Sequence, residues 1–250
     1  MSTSYKITVK CHYQPSDFFE EPVEQELLSG QISISNGKVQ GQFPHSAHRI
    51  SDELLVEIKA AIQTVFYAHG MQTRRNHALS ELTNPDGRSD TLIHASPAKI
   101  DIVGGDINVV VRSADGIVIY DAGTARRNAH KKFLDDVNML GNDQVLSKML
   151  QSFAAAQTDP DNLLVHLFEI KETLASEYSG SDKIAGSLRV SKTKLKKFAK
   201  IANNKDYLEG RHRGQSLATS PAPKSEIEWA MNFAQVLIQK YVAKQVANHK

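Results

Sequence analysis

The hydrophobic period of this chain changes near residue 122, and no other sequence feature constrains its fold as tightly. Upstream, apolar and polar residues alternate. In Tyr5-Lys-Ile-Thr-Val-Lys-Cys-His-Tyr13, the residues Tyr5, Ile7, Val9, Cys11 and Tyr13 share one face, as in a half-buried strand. Residues 31–35 and 38–43 alternate likewise around Asn36-Gly37, a dipeptide suited to a type I′ hairpin because both turn residues need positive φ. Residues 91–95, 99–103, 106–112 and 116–120 read as further strands, with turns at Gly104-Gly105 and Ala114-Asp115-Gly116. One helix interrupts the series. Ser51 caps it, its apolar face is Leu54, Leu55, Ile58, Ile62, Val65 and Phe66, and Gly70 is the expected stop. The acidic, proline-containing stretch 14–26 reads as a loop, and 71–90 as polar and turn-rich.

Downstream the spacing becomes helical. Residues 124–140 and 143–157 form two helices broken at Gly141-Asn142-Asp143. Asp159-Pro160-Asp161 opens a third, with Leu163, Leu167, Ile170, Leu174 and Tyr178 inward and Ser179-Gly180 as its stop. Ser191 caps a lysine-rich helix to about Ala202, and Pro221 and Pro223 precede a last helix over 225–246. The expected class is α+β: residues 1–122 a mostly antiparallel sheet with one packed helix, residues 123–250 an all-helical module.

A single cysteine, Cys11, excludes an internal disulfide and any Cys-rich metal cluster, which suits a reducing cytoplasm. No apolar run approaches the roughly 18 residues of a membrane span, and the first ten residues carry no signal-peptide core. The expectation is a cytoplasmic protein without a membrane partner and without a cofactor. Walker A loops, nucleophile elbows and paired-cysteine sites are missing from the sequence.

The net charge of +2 is near neutral, but its distribution is uneven. Residues 181–213 hold ten Lys/Arg against three acids, Asp182, Asp206 and Glu209. Such a field attracts phosphates. The candidate nucleic-acid contacts are Lys194, Lys196, Lys197, Lys200, Asn203, Asn204, Arg211 and Arg213, with Phe198 and Tyr207 able to stack on bases. The same stretch reads equally as a solvated helix face with Leu195, Phe198, Ala199 and Ala202 turned inward. Within it, Arg211-His212-Arg213 lies between Gly210 and Gly214. His212 can move a proton near neutrality, and Arg211 or Arg213 can steady charge on a phosphoryl oxygen, so the three are the catalytic candidates if the protein is an enzyme. The alternative is structural, with Arg and His satisfying helix carbonyls and the glycines making turns.

Leu163-Leu-Val-His-Leu-Phe-Glu-Ile-Lys-Glu172, Phe198-Ala-Lys-Ile-Ala-Asn-Asn204, Gly210-Arg-His-Arg-Gly214 and the closing amphipathic helix together resemble a helical module of bacterial proteins that is loosely HEPN-like. The resemblance spans about residues 143–245 and implies a helical bundle in a phage-defence or stress setting. HEPN ribonucleases carry an Arg followed by His five positions later, and no His here has an Arg five positions before it. Other motifs are weaker. Asp121-Ala-Gly-Thr124 echoes the phosphate turn of actin-like ATPases, and Gly104-Gly105-Asp106 that of nucleotide cyclases. His45 and His48 with His94 or His12 offer a chance metal set, and Arg74-Arg75-Asn76-His77 and Arg126-Arg127-Asn128-Ala-His130 are further basic clusters. Three functions follow as expectations. The first is a binding or effector protein engaging RNA, DNA or a phosphorylated ligand. The second is a metal-independent ribonuclease built on His212. The third is a self-associating protein, a homodimer paired through its last helix.

Overall fold

Alternation along the N-terminal strands becomes burial on one face of a sheet. The computed structural model describes residues 5–27, 30–45, 52–80, 82, 110–112, 118–141, 143–212 and 220–249. Strands β1 (Tyr5–Gln14), β2 (Val23–Leu27), β3 (Gly30–Ser35), β4 (Lys38–His45) and β5 (Ala78–Leu79) lie in the order β2-β3-β4-β1-β5, every pairing antiparallel. Val9, Cys11 and Tyr13 of β1, Ile32 and Ile34 of β3, and Val39 and Phe43 of β4 face inward, while Lys10, His12, Gln31, Lys38, Gln40 and Gln42 face solvent. The Asn36-Gly37 turn has φ of 49° and 76°, as the hairpin requires. A separate antiparallel pair joins β6 (Val110–Arg112) to β7 (Val118–Asp121). The strands expected over 91–95 and 99–103, and the turns after them, lie outside the described residues.

Helix α1 (Asp52–Thr73) covers the inner face with Ile58, Ala61, Ile62, Val65 and Phe66. The stretch read as a loop keeps that form at its centre and is corrected at its end. Its centre inserts Phe18 and Phe19 into the core, where the Phe18 ring stacks on Phe66 at 5.6 Å and Phe19 meets it edge-on at 4.9 Å. Its end is β2, whose alternation is disguised because the inward position is a glutamine. Gln25 is buried and donates from Nε2 to the Leu134 carbonyl at 3.3 Å. The end expected for α1 at Gly70 is corrected as well. The helix continues to Thr73 and stops at Arg74, whose φ is 57°. Gly70 is needed for close approach, since a Cβ there would lie 2.9 Å from the Arg75 carbonyl oxygen.

The helical half comprises α2 (Ala122–Met139), α3 (Gln144–Thr158), a 3-10 turn over Pro160–Asn162, α4 (Leu163–Glu177), α5 (Ser181–Ser187), α6 (Lys192–Ala202) and α7 (Lys224–Asn248). Asp143 caps α3 by accepting the Leu146 N–H at 2.9 Å, and its other oxygen accepts the Tyr241 hydroxyl of α7 at 2.9 Å. The helical core reaches back into α1 through Ala68 and Met71. Polar bonds follow the same path. Arg74 donates to Asn232 Oδ1 at 2.9 Å and Gln235 Oε1 at 3.1 Å, and its guanidinium lies 5.2 Å from the Phe153 ring centroid. Arg75 pairs with Asp17 at 2.9 Å. Among the described residues, no helix is long and apolar enough to cross a membrane.

Candidate functional site

Helix α4 is the platform on which the basic region is assembled. Its buried Phe168 holds two cations against its ring, Lys171 Nζ at 4.8 Å and the Arg211 guanidinium at 4.9 Å. Lys171 also donates to Ser181 Oγ at 3.0 Å, which fixes the first residue of α5. Helix α5 has only Ile184 and Ala185 buried among its seven residues, too short a run for periodicity to reveal. Leu188 to Ser191 then lead into α6, where Ser191 Oγ accepts the Lys194 N–H at 3.3 Å.

Helix α6 divides cleanly. Leu195, Phe198, Ile201 and Ala202 are buried, while Lys192, Thr193, Lys194, Lys196, Lys197 and Lys200 are exposed. At 100° per residue the exposed positions span an arc of about 200°. Lys192, Lys196 and Lys200 stand in one row opposite the core, about 6 Å apart along the axis. Lys192 was not among the residues singled out from sequence; the i, i+4, i+8 spacing is the signal that adds it. Lys197 Nζ lies 4.3 Å over the Trp229 ring, which stacks on Phe233 at 5.3 Å. Among the described residues, no carboxylate pairs with Lys192, Lys194, Lys196 or Lys200.

The other singled-out residues form the turn that closes α6. Asn203 ends the helix, and its backbone N–H bonds the Ala199 carbonyl at 3.0 Å. Asn204 Oδ1 accepts the Asp206 N–H at 3.1 Å, an Asx turn. The Arg211 N–H returns to the Ala202 carbonyl at 3.0 Å, and Gly210 is buried where a Cβ would lie 2.5 Å from the Asn204 carbonyl oxygen. Glu209 accepts the Ala222 N–H at 2.9 Å, and Tyr207 donates its hydroxyl to Glu226 at 2.8 Å. His212 is half-buried at the end of this turn, and Arg213 lies outside the described residues. The structure therefore separates the sequence candidates into an open lysine face and a tightly bonded turn.

The remaining histidines regroup. His12 is exposed, and His48 and His94 lie outside the described residues, among which no cluster suited to a metal ion is found. Instead His69 and His130, distant in sequence, bring their rings to 4.7 Å, beside Phe18 and Phe19. His69 Nε2 lies 2.8 Å from the Phe18 carbonyl oxygen. His69 Nδ1 and His130 Nε2 are buried with no hydrogen-bond partner among the described residues. Burial, then repulsion from His130, lowers the His69 pKa to about 3. Burial lowers His77 to about 4, and it lowers His130 against an opposing pull from Glu20. Of the two further basic clusters, Arg74 and Arg75 are engaged between α1, α7 and Asp17, and Arg127 donates to Thr124 Oγ1 at 2.8 Å. Comparison of the chain with protein-family models, with curated proteins and with solved structures returned no match.

Proposed function

We propose that this chain is a non-enzymatic binding protein that engages nucleic acid through the exposed lysine face of α6. What supports the reading is that α6 runs against its own electrostatics. Lys192 and Lys194 occupy its first turn, where the helix dipole disfavours cations, and no acid stands there. The pairs Lys192/Lys196 and Lys196/Lys200 each cost about 0.2–0.5 kcal/mol by like-charge repulsion. Phosphates across this face would relieve each of these penalties, and a phosphorylated small ligand shares that chemistry. The likeness to HEPN-like modules adds a bacterial defence or stress setting. A ribonuclease working through His212 gains no added observation, and the Arg211 guanidinium lies against the Phe168 ring. Pairing through α7 gains little either. Its large apolar residues line the chain's own core, leaving Val236 as the exposed one among those described.

The test is binding of labelled duplex DNA and single-stranded RNA as salt rises, with the nucleic acid checked for cleavage afterwards. If all five α6 lysines neutralise duplex phosphates, affinity falls about 500-fold between 50 and 200 mM salt. Replacing Lys196 and Lys200 by Glu lowers affinity about tenfold or more at fixed salt. No binding at low salt, or binding indifferent to both changes, overturns the reading.

A further inference from the structure

The connection between α5 and α6 says more than their charge. Helix α5 ends in a full Schellman motif. The Val190 N–H bonds the Ala185 carbonyl at 3.0 Å and the Arg189 N–H bonds the Gly186 carbonyl at 3.4 Å, with Arg189 at φ 52°. Ser191 then caps α6, so exit from the first helix and start of the second are both fixed within four residues. Ile184, Ala185 and Leu188 from the first helix and its turn, and Leu195 and Phe198 from the second, are all buried in the helical core shared with α4. The residues turned outward at the start of α6 (Ser191, Lys192, Thr193, Lys194, Lys196 and Lys197) are all polar and exposed. Two short helices, a four-residue turn with one left-handed residue, an apolar inner side and a polar second helix follow the element order, turn length and polarity of a helix-turn-helix unit.

We infer that α5 and α6 form a helix-turn-helix that lays α6 in the major groove of duplex DNA, an assignment that rests on the proposed nucleic-acid reading and names its partner. The dimensions agree. A helix with its side chains is about 10–12 Å across and the B-form major groove about 12 Å wide. The 11 residues of α6 extend about 16 Å, the rise of roughly five base pairs. Duplex RNA does not fit, because its major groove is deep and narrow. On the exposed arc, Lys192, Thr193 and Lys196 are the side chains for base edges. A lysine donates to guanine O6 or N7, and a threonine meets a hydrogen-bonding edge or the thymine methyl. Lys200, Lys183 and Arg189 are the phosphate contacts that set register. Arg189 occupies a left-handed position that glycine would take without strain, and its side chain is exposed two residues before the α6 cap. Asp182, exposed in the first turn of α5, is the one acid between Tyr178 and Lys205 and opposes the partner.

The experiment is selection from a random-sequence duplex DNA pool with the full-length protein. Anisotropy is then measured on the selected duplex, a scrambled duplex, duplex RNA of the same sequence and heparin, with dimethyl sulfate footprinting of guanine N7. The expected result is a selected site bound at least ~10³-fold tighter than the scrambled duplex. N7 protection should fall within a window of about five base pairs. Thr193→Ala should relax selectivity at one or two positions with an unchanged salt slope, whereas Lys200→Ala should lower the slope by about one. Equal affinity for all four polyanions with unprotected N7 overturns the helix-turn-helix and leaves the basic surface standing. Binding to none of the four overturns both.

Discussion

A buried imidazole without a carboxylate beside it is stable only while neutral. His69 is such a group: it faces His130, His77 and Arg75 as well as the Phe18 carbonyl, and the Glu20 charge acts on His130 across the ring pair. In the unfolded chain an imidazole takes its proton below about pH 6.5, whereas folded His69 resists until about 3. Between those values the unfolded state binds more protons, so stability present above pH 6.5 is lost as pH falls. At one proton the slope is about 1.4 kcal/mol per pH unit, so His69 alone removes about 2 kcal/mol by pH 5. His69→Gln keeps a donor for the Phe18 carbonyl and removes the titration. Urea unfolding of both proteins at pH 7 and pH 5 should show the variant losing about 2 kcal/mol less. Equal losses would place the acid sensitivity elsewhere. Nothing in the sequence pairs His69 with His130, because the contact exists only once α1 and α2 have packed.

On the scale of the element, α6 makes an opposed prediction for stability and binding. Lys192→Glu puts an acid in the first turn, suits the helix dipole and turns the repulsion with Lys196 into attraction. The free protein should gain about 0.5–1 kcal/mol in urea unfolding while nucleic-acid affinity drops. A variant that binds as tightly as the parent would remove Lys192 from the interface. The lysine row and its Ser191 cap were legible in the chain, since both are local patterns, and so was the Asn36-Gly37 hairpin. Elements whose burial depends on a distant partner were not. The inward Gln25 of β2 is satisfied only by the Leu134 carbonyl, and α5 is placed by Lys171 of α4 reaching Ser181. The Arg211-His212 stretch was legible as unusual. That its arginine would spend itself on Phe168 was not, because the ring lies on another helix.

At the scale of the whole molecule, α1 belongs to both cores: Ile58, Ile62 and Phe66 pack under the sheet, while Ala68 and Met71 pack among the helices. Unfolding either core strips one side of α1 and leaves apolar surface exposed, so the two should unfold together. The chain carries its own pair of probes for this. Its single cysteine, Cys11, is buried in the sheet core, and burial raises its pKa to about 12, which keeps the thiol unreactive in the folded state. Its single tryptophan, Trp229, packs against the helical core. In a urea titration, Cys11 labelling by a disulfide reagent and Trp229 fluorescence should therefore share one midpoint. Met71→Ala should lower that midpoint for both probes, since truncating a buried methionine costs about 2–5 kcal/mol and this one sits where α1 meets the helices. Cysteine labelling that precedes the fluorescence change would mean that the sheet opens alone. The Arg74 bonds to Asn232 and Gln235 would then be holding two independent units in contact rather than closing one cooperative fold.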